Sequence, residues 1–214
     1  MSTLGKLVLG AMGALRARPA LGDGPRTLAL PPASLGNDIT LERALSQRRS
    51  NRVFDPRALP LSLLSNLLWA ADGVNRDSGH RTAPSALDER EIDLIVTLPE
   101  GAYRYDAAAH ALQLVCAEDL RRITGYQDFV DAAPLNIVYV VDHARMGRVP
   151  ASQRTLFAAI AAGAIAQNVY LYAAGAGLAT VLRGWLDRES LANALGLQPD
   201  QEVLMAQTVG FHAA

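Results

Sequence analysis

The chain holds one cysteine, Cys116, among 214 residues. An intrachain disulfide is excluded, and nothing in the sequence calls for an oxidising compartment. The four histidines, His80, His110, His143 and His212, are scattered without a second His or Cys at metal-ligand spacing, so no metal site is expected. Aromatic residues make up 6% and the net charge is −1. With no basic excess and no interleaved aromatics, nucleic acid and anionic membranes are not expected partners. No apolar run reads as a membrane span. The chain also lacks Gly-x-Ser-x-Gly, His-Glu-x-x-His, a Walker loop and a Gly-x-Gly-x-x-Gly after a strand, which removes the common hydrolase, zinc-protease and dinucleotide signatures. Gly175-Ala176-Gly177 closes a helix rather than opening one, the wrong context for a phosphate cradle.

What remains is globular in composition: 50% hydrophobic and 19% charged, enough for one domain with a sizeable core. Globular patterning starts near Thr40, so residues 40–214 are expected to form that domain. Residues 1–39 read as an N-terminal arm and a Pro/Gly/Ala-rich linker. Lys6 followed by the apolar stretch Leu7–Leu15 has the outline of a secretion signal or of a loosely attached helical arm. A cytoplasmic protein is the expectation, with a periplasmic one as the alternative if that segment is a signal.

Periodicity places helices after Thr40 (Leu41, Ala44 and Leu45 on one face), over 61–71 with Gly73 as the stop, over 117–123, near 128–132, over 152–174, and from Asp187 to Leu195 with Gly196 behind it. Strands are expected at 92–98, as a hairpin over 103–115, at 135–141, at 177–184 and at 203–209. Residues 74–90 read as a polar loop. The elements are mixed rather than strictly alternated, which predicts an α+β fold.

One cluster stands out against the neutral background. Arg48-Arg49-Ser50-Asn51-Arg52 sets three guanidiniums and a hydroxyl at a helix end. Arginine presents a planar, permanently charged fork that matches phosphate oxygens. A solvated helix end, with cations beside the negative pole of the dipole, has the same composition.

Four places together resemble the FMN-dependent nitroreductase family, on the branch near the SagB-type dehydrogenases. They are the Arg48–Arg52 segment with Phe54, then Arg81-Thr82-Ala83-Pro84-Ser85-Ala86, then Gln167-Asn168-Val169-Tyr170-Leu171, and finally Gly177–Gly184 with Ala206–Gly210. The resemblance runs from about Thr40 to Phe211. It implies a nitroreductase-like fold, a central mostly antiparallel sheet flanked by helices, built into an intertwined homodimer with FMN at the interface. It also implies an enzyme that passes hydride from NADH or NADPH through the flavin, by a ping-pong cycle, to a small acceptor such as a nitroaromatic or quinone. A flavin-binding sensor or partner subunit without turnover is the alternative.

The same resemblance assigns Arg48, Arg49 and Ser50 to the FMN phosphate and Arg52 to the ribityl chain and the N1/O2 edge. Pro84, Ser85 and Ala86 would border the ring from the other subunit, and the backbone at Arg183 and Gly184 would face N5. No obligatory acid–base side chain is implied, because the flavin carries the chemistry. Tyr126, Tyr170 and Trp185 are expected to be packing residues. Two departures are visible. Leu87-Asp88-Glu89 stands where an amide often contacts the ring, and Phe211-His212-Ala213-Ala214 offers no Lys or Arg after the last strand.

Overall fold

The computed structural model of the chain describes residues 1–34, 36 and 40–213; the linker positions 35 and 37–39, and Ala214, lie outside the described residues. The helices are α1 (Thr3–Ala11), α2 (Leu41–Gln47), α3 (Leu61–Asp72), α4 (Ala151–Gly175) and α5 (Arg188–Leu195). The strands are β1 (Arg18–Pro19), β2 (Thr27–Ala29), β3 (Phe54–Asp55), β4 (Ile92–Leu98), β5 (Gly101–Asp106), β6 (Ala111–Cys116), β7 (Glu118–Asp119), β8 (Leu135–Asp142), β9 (Leu178–Arg183) and β10 (Gln201–His212). The main sheet runs β2-β6-β5-β4-β8-β10-β3, with β9 also paired to β10, and every pairing in it is antiparallel. The α+β architecture with a mostly antiparallel sheet follows.

Helices cover both faces of this sheet, and β8 shows why its sequence is a continuous apolar run. Alternate side chains point to opposite faces of a strand. Leu135, Ile137, Tyr139 and Val141 join the core under α3 and α4. Val138 and Val140 join a second core with Leu120, Ile123, Leu191 and Leu195 on the other side. A strand buried on both faces has no polar positions to alternate with.

The helix ends obey their capping chemistry. Thr40 and Asp187 accept from the amides of Arg43 and Ser190, and Gly196 takes the left-handed conformation (φ 62°) that closes α5. Gly73 ends α3 for another reason. Its φ is ordinary, but a Cβ there would come within 2.6 Å of the Trp69 ring.

Several expectations change. Residues 117–123 form β7 and a short 3-10 turn at Arg121–Thr124 rather than a helix, because Asp119 pairs with Arg18 in β1 and its carboxylate is claimed by Arg121. The last strand is longer than 203–209, since β3 and β9 extend its pairing to His212. Leu41 and Leu45 are exposed, and only Ala44 of that face is buried. α4 is long and apolar enough to cross a membrane by length and composition, a test that buried core helices also pass; its Ala158, Ala162, Ile165, Ala166 and Val169 pack into the core.

The N-terminal arm is not loosely attached. Lys6 is fully buried, donates to the carbonyls of Arg122, Gly125 and Gln127, and pairs with Asp131. Burial lowers the affinity of this ammonium for its proton, and Asp131 opposes that effect. β2 adds a strand to the main sheet beside β6.

Candidate anion-binding cleft

The arginine-rich segment begins where α2 stops. The Arg48 amide still donates to Ala44, and the chain then turns out of the helix. Asn51 N–H donates to the carbonyl of Thr180 (2.9 Å), which ties the segment to β9. The Asn51 side-chain oxygen accepts from Val53 N–H (2.8 Å), a local turn that delivers the chain to β3 at the end of β10. The segment is thus laid across the ends of β9 and β10.

Tyr170 rises from α4 to meet it. Leu182 N–H donates to the Tyr170 oxygen (2.8 Å), and that hydroxyl lies 2.9 Å from the Ser50 hydroxyl. The Arg48 guanidinium sits over the Tyr170 ring, 5.4 Å from its centroid, within cation–π range. One side chain therefore joins a helix, a strand and the arginine segment.

These residues surround a cleft of about 440 Å³ lined by Ser46, Gln47, Arg48, Arg49, Tyr170, Ala174, Gly177, Leu178, Thr180 and His212. Arg48 and Arg49 line it, and among the described residues no carboxylate does. Guanidiniums around a concave space favour an anion with planar or tetrahedral oxygens.

The structure brings only part of the expected site together. Arg48 and Arg49 line the cleft, and Ser50 borders it through Tyr170. Arg52 is exposed and outside the lining. Pro84 and Ser85 line a separate cleft with Asp72, Arg81, Ile92, Ala161 and Ile165, and Ala86 opens a short 3-10 turn beside it. Gly184 is exposed at the end of β9.

The Arg183 side chain is committed to the interior. It is buried, and it donates to the carbonyl of Thr124 (2.6 Å), the Thr208 hydroxyl (3.0 Å) and the Asn136 oxygen (2.9 Å). Burial pushes its guanidinium down to about 9, still charged at neutral pH. Only the backbone of this residue remains available to a ligand. Gly125 is required beside it, since a Cβ there would lie 2.0 Å from the guanidinium.

The loop behind Pro84 is strained. Leu87, Asp88 and Arg90 have φ of 55°, 54° and 53°, a region that costs a non-glycine residue about 1–2 kcal/mol. Arg90 clasps Asp88 with two bonds, and Arg148 holds the Leu87 carbonyl and the Glu89 carboxylate. Underneath, Asp72 pairs with Arg81, yet burial raises its carboxyl to about 6. Glu91 is fully buried with both oxygens unpartnered, and burial raises it as well.

Sequence reasoning missed Tyr170, Thr180 and His212 as parts of the cleft. Tyr170 lies in the Gln167–Leu171 stretch that carried the resemblance, so its position was marked although its role was read as packing. Thr180 likewise lies in the Gly177–Gly184 stretch that carried the resemblance, whereas nothing local signals His212, which arrives through strand pairing.

Fold and cleft define an α+β protein with a cationic pocket at the end of its central sheet. Comparison with known proteins gives that class a family. The profile of the Nitroreductase family matches residues 45–211. A nitroreductase-like protein of Methanocaldococcus jannaschii is 31% identical over 157 residues, 69% of this chain and 79% of that protein. The crystal structure of a nitroreductase-like protein of Ralstonia eutropha is 50% identical, covers 94% of this chain and 96% of its own, and has a TM-score of 0.89. The NADPH:FMN oxidoreductase of Vibrio harveyi, solved with NAD+, shares the fold with a TM-score of 0.60 at 21% identity, over 81% of this chain and 69% of its own. The chain belongs to the nitroreductase family, and its role is that of an oxidoreductase.

Proposed function

We propose that the protein is an FMN-dependent oxidoreductase that works as a homodimer. The observation that carries this reading is the cleft that brings Arg48 and Arg49 together beside Tyr170 and Thr180. Its donor set suits a phosphate monoester, and its volume falls in the range of small-molecule sites, roughly 300–1,000 Å³. FMN would supply the redox chemistry of a ping-pong cycle, with NADH or NADPH as hydride donor and a small acceptor such as a nitroaromatic or quinone.

The chain's own residues hold and orient. Arg48, Arg49 and Ser50 take the phosphate, with Tyr170 fixing Ser50 and stacking under Arg48. Arg52 extends toward the ribityl chain and the N1/O2 edge, where a cation favours negative charge on the ring. The exposed Gly184 backbone lies against the flat ring, an approach that a Cβ would obstruct. Pro84, Ser85 and Ala86 complete the site from a second copy of the chain. Their separate cleft supports that arrangement, as do the exposed Leu41, Leu45, Leu156 and Ile160 on α2 and α4.

The test begins with colour. Purified protein is expected to be yellow, or to quench added FMN fluorescence; colourless protein that leaves FMN at its free-solution brightness refutes the reading. Arg48→Ala is expected to weaken FMN binding by about 1.5–3 kcal/mol, the worth of a charge-assisted hydrogen bond. The second reading, a flavin-binding sensor or partner subunit, draws on the altered loop with left-handed Leu87, Asp88 and Arg90. It predicts the same colour with no oxidation of NADH or NADPH by any quinone or nitroaromatic.

A further inference from the structure

We propose that His212 is an anion-binding residue of the cleft, and that Asn51 sets its tautomer so that a neutral N–H donor faces the anion held by Arg48 and Arg49. The identity of that anion as the FMN phosphate rests on the reading above; the tautomer does not.

The argument starts at Val53. Its backbone N–H can only donate, so the Asn51 amide atom 2.8 Å away must be the oxygen. The other amide atom, the NH2 nitrogen, is then the one 3.0 Å from Nδ1 of His212. An amide NH2 donates and does not accept. Nδ1 must therefore be the accepting, proton-free nitrogen, and the ring proton sits on Nε2. Among the described residues Nε2 makes no hydrogen bond, and His212 lines the same cleft as Arg48 and Arg49. The second ring nitrogen of a histidine is commonly fixed by the bond the first one makes.

The position of the ring is as well supported as its tautomer. His212 pairs with Phe54 across β3 and β10. The neighbouring Phe211 ring lies 4.0 Å beneath the Arg57 guanidinium. The chain that follows the arginine segment is thus tied to the strand that carries His212. A neutral donor here adds a hydrogen bond to a phosphate oxygen without placing a third positive charge beside two guanidiniums. The anion would be gripped by Arg48 and Arg49 through charge and by His212 through direction.

Two measurements test this. In protein carrying ring-¹⁵N histidine, long-range ¹H–¹⁵N spectra at alkaline pH should show His212, assigned with His212→Gln, as the Nε2–H tautomer. Asn51→Ala should turn it into a mixture, and added inorganic phosphate should shift the Nε2 resonance of the wild type. In parallel, His212→Ala should weaken FMN about tenfold, the worth of one hydrogen bond to a charged acceptor, while leaving riboflavin, which lacks the phosphate, unchanged. His212→Gln, whose amide nitrogen can take the place of Nε2, should recover most of the loss. An Nδ1–H tautomer in the wild type, no change with FMN, or an equal loss for both flavins overturns the proposal. If the wild type binds neither flavin but phosphate shifts the His212 resonance, the FMN reading fails and the anion role of His212 stands. If phosphate shifts nothing and no flavin binds, both fail.

Discussion

Tyr170 carries three jobs on one side chain: a hydrogen-bond acceptor for Leu182, a partner for Ser50 and an aromatic face for Arg48. The first two belong to its hydroxyl and the third to its ring, so substitutions can separate them. Tyr170→Phe is expected to cost about 1 kcal/mol of stability, because it leaves the Leu182 amide without its partner. It should also weaken FMN severalfold through a looser Ser50 while keeping the stacked Arg48. Tyr170→Leu should weaken FMN further. Urea denaturation and flavin titration on both variants check this, and equal affinities for the two would show that the ring contributes nothing. Arg48, Arg49 and Ser50 were legible in the sequence because they are neighbours and their chemistry is local. Tyr170 and His212 were not, because each reaches the cleft through contacts more than a hundred residues from the segment. No local pattern encodes such a meeting.

Among the elements, the loop over Arg81–Glu91 links structure to pH. Asp72 and Glu91 both have carboxyls raised by burial. The folded state therefore holds their protons more tightly than the unfolded chain does. The stability this confers is present in full below the unfolded value of 3.8 for Asp72 and fades as pH rises through about 6. The difference corresponds to at most roughly 3 kcal/mol for Asp72. Between pH 7 and pH 4, the wild type is expected to gain stability relative to Asp72→Asn and, in the same direction, relative to Glu91→Gln. Denaturant midpoints across that range check the slope, and a wild type that loses stability relative to both variants on acidification contradicts it.

The regular elements were easier to read than this loop. Apolar periodicity marked α3, α4 and β8 because each buries a repeating face. The segment at 117–123 misled because its polar pairing with β1 and its buried ion pair outweigh its helical spacing. Residues 81–91 could be read only as a turn, since the left-handed backbone at Leu87, Asp88 and Arg90 is held by the distant Arg148 together with the local Arg90–Asp88 pair.

At the scale of the whole molecule, the single chain leaves apolar surface that a soluble fold normally covers. Leu41 and Leu45 of α2, and Leu156 and Ile160 of α4, are more than half exposed. Leu41 and Leu45 share a face with the buried Ala44, and their exposure is legible only once the packing of α2 against α4 is known. Under the homodimer reading, Ile160→Glu should convert the dimer to monomer in analytical ultracentrifugation. It should also reduce flavin occupancy, since Pro84, Ser85 and Ala86 would no longer meet the cleft of the other copy. A variant that stays dimeric with full occupancy removes α4 from the interface.

The pairing of Asn51 with His212 spans 161 residues. Contacts of such separation close late, because the entropy of the intervening loop must be overcome first. The anion cleft is therefore expected to be among the later features the folding chain completes. Helix content would return before the cleft does, and a phosphate-bearing flavin would recognise only molecules whose sheet has closed. Under the FMN reading, the flavin would then act as a proofreader of folding: it would capture finished copies and leave unfinished ones unbound.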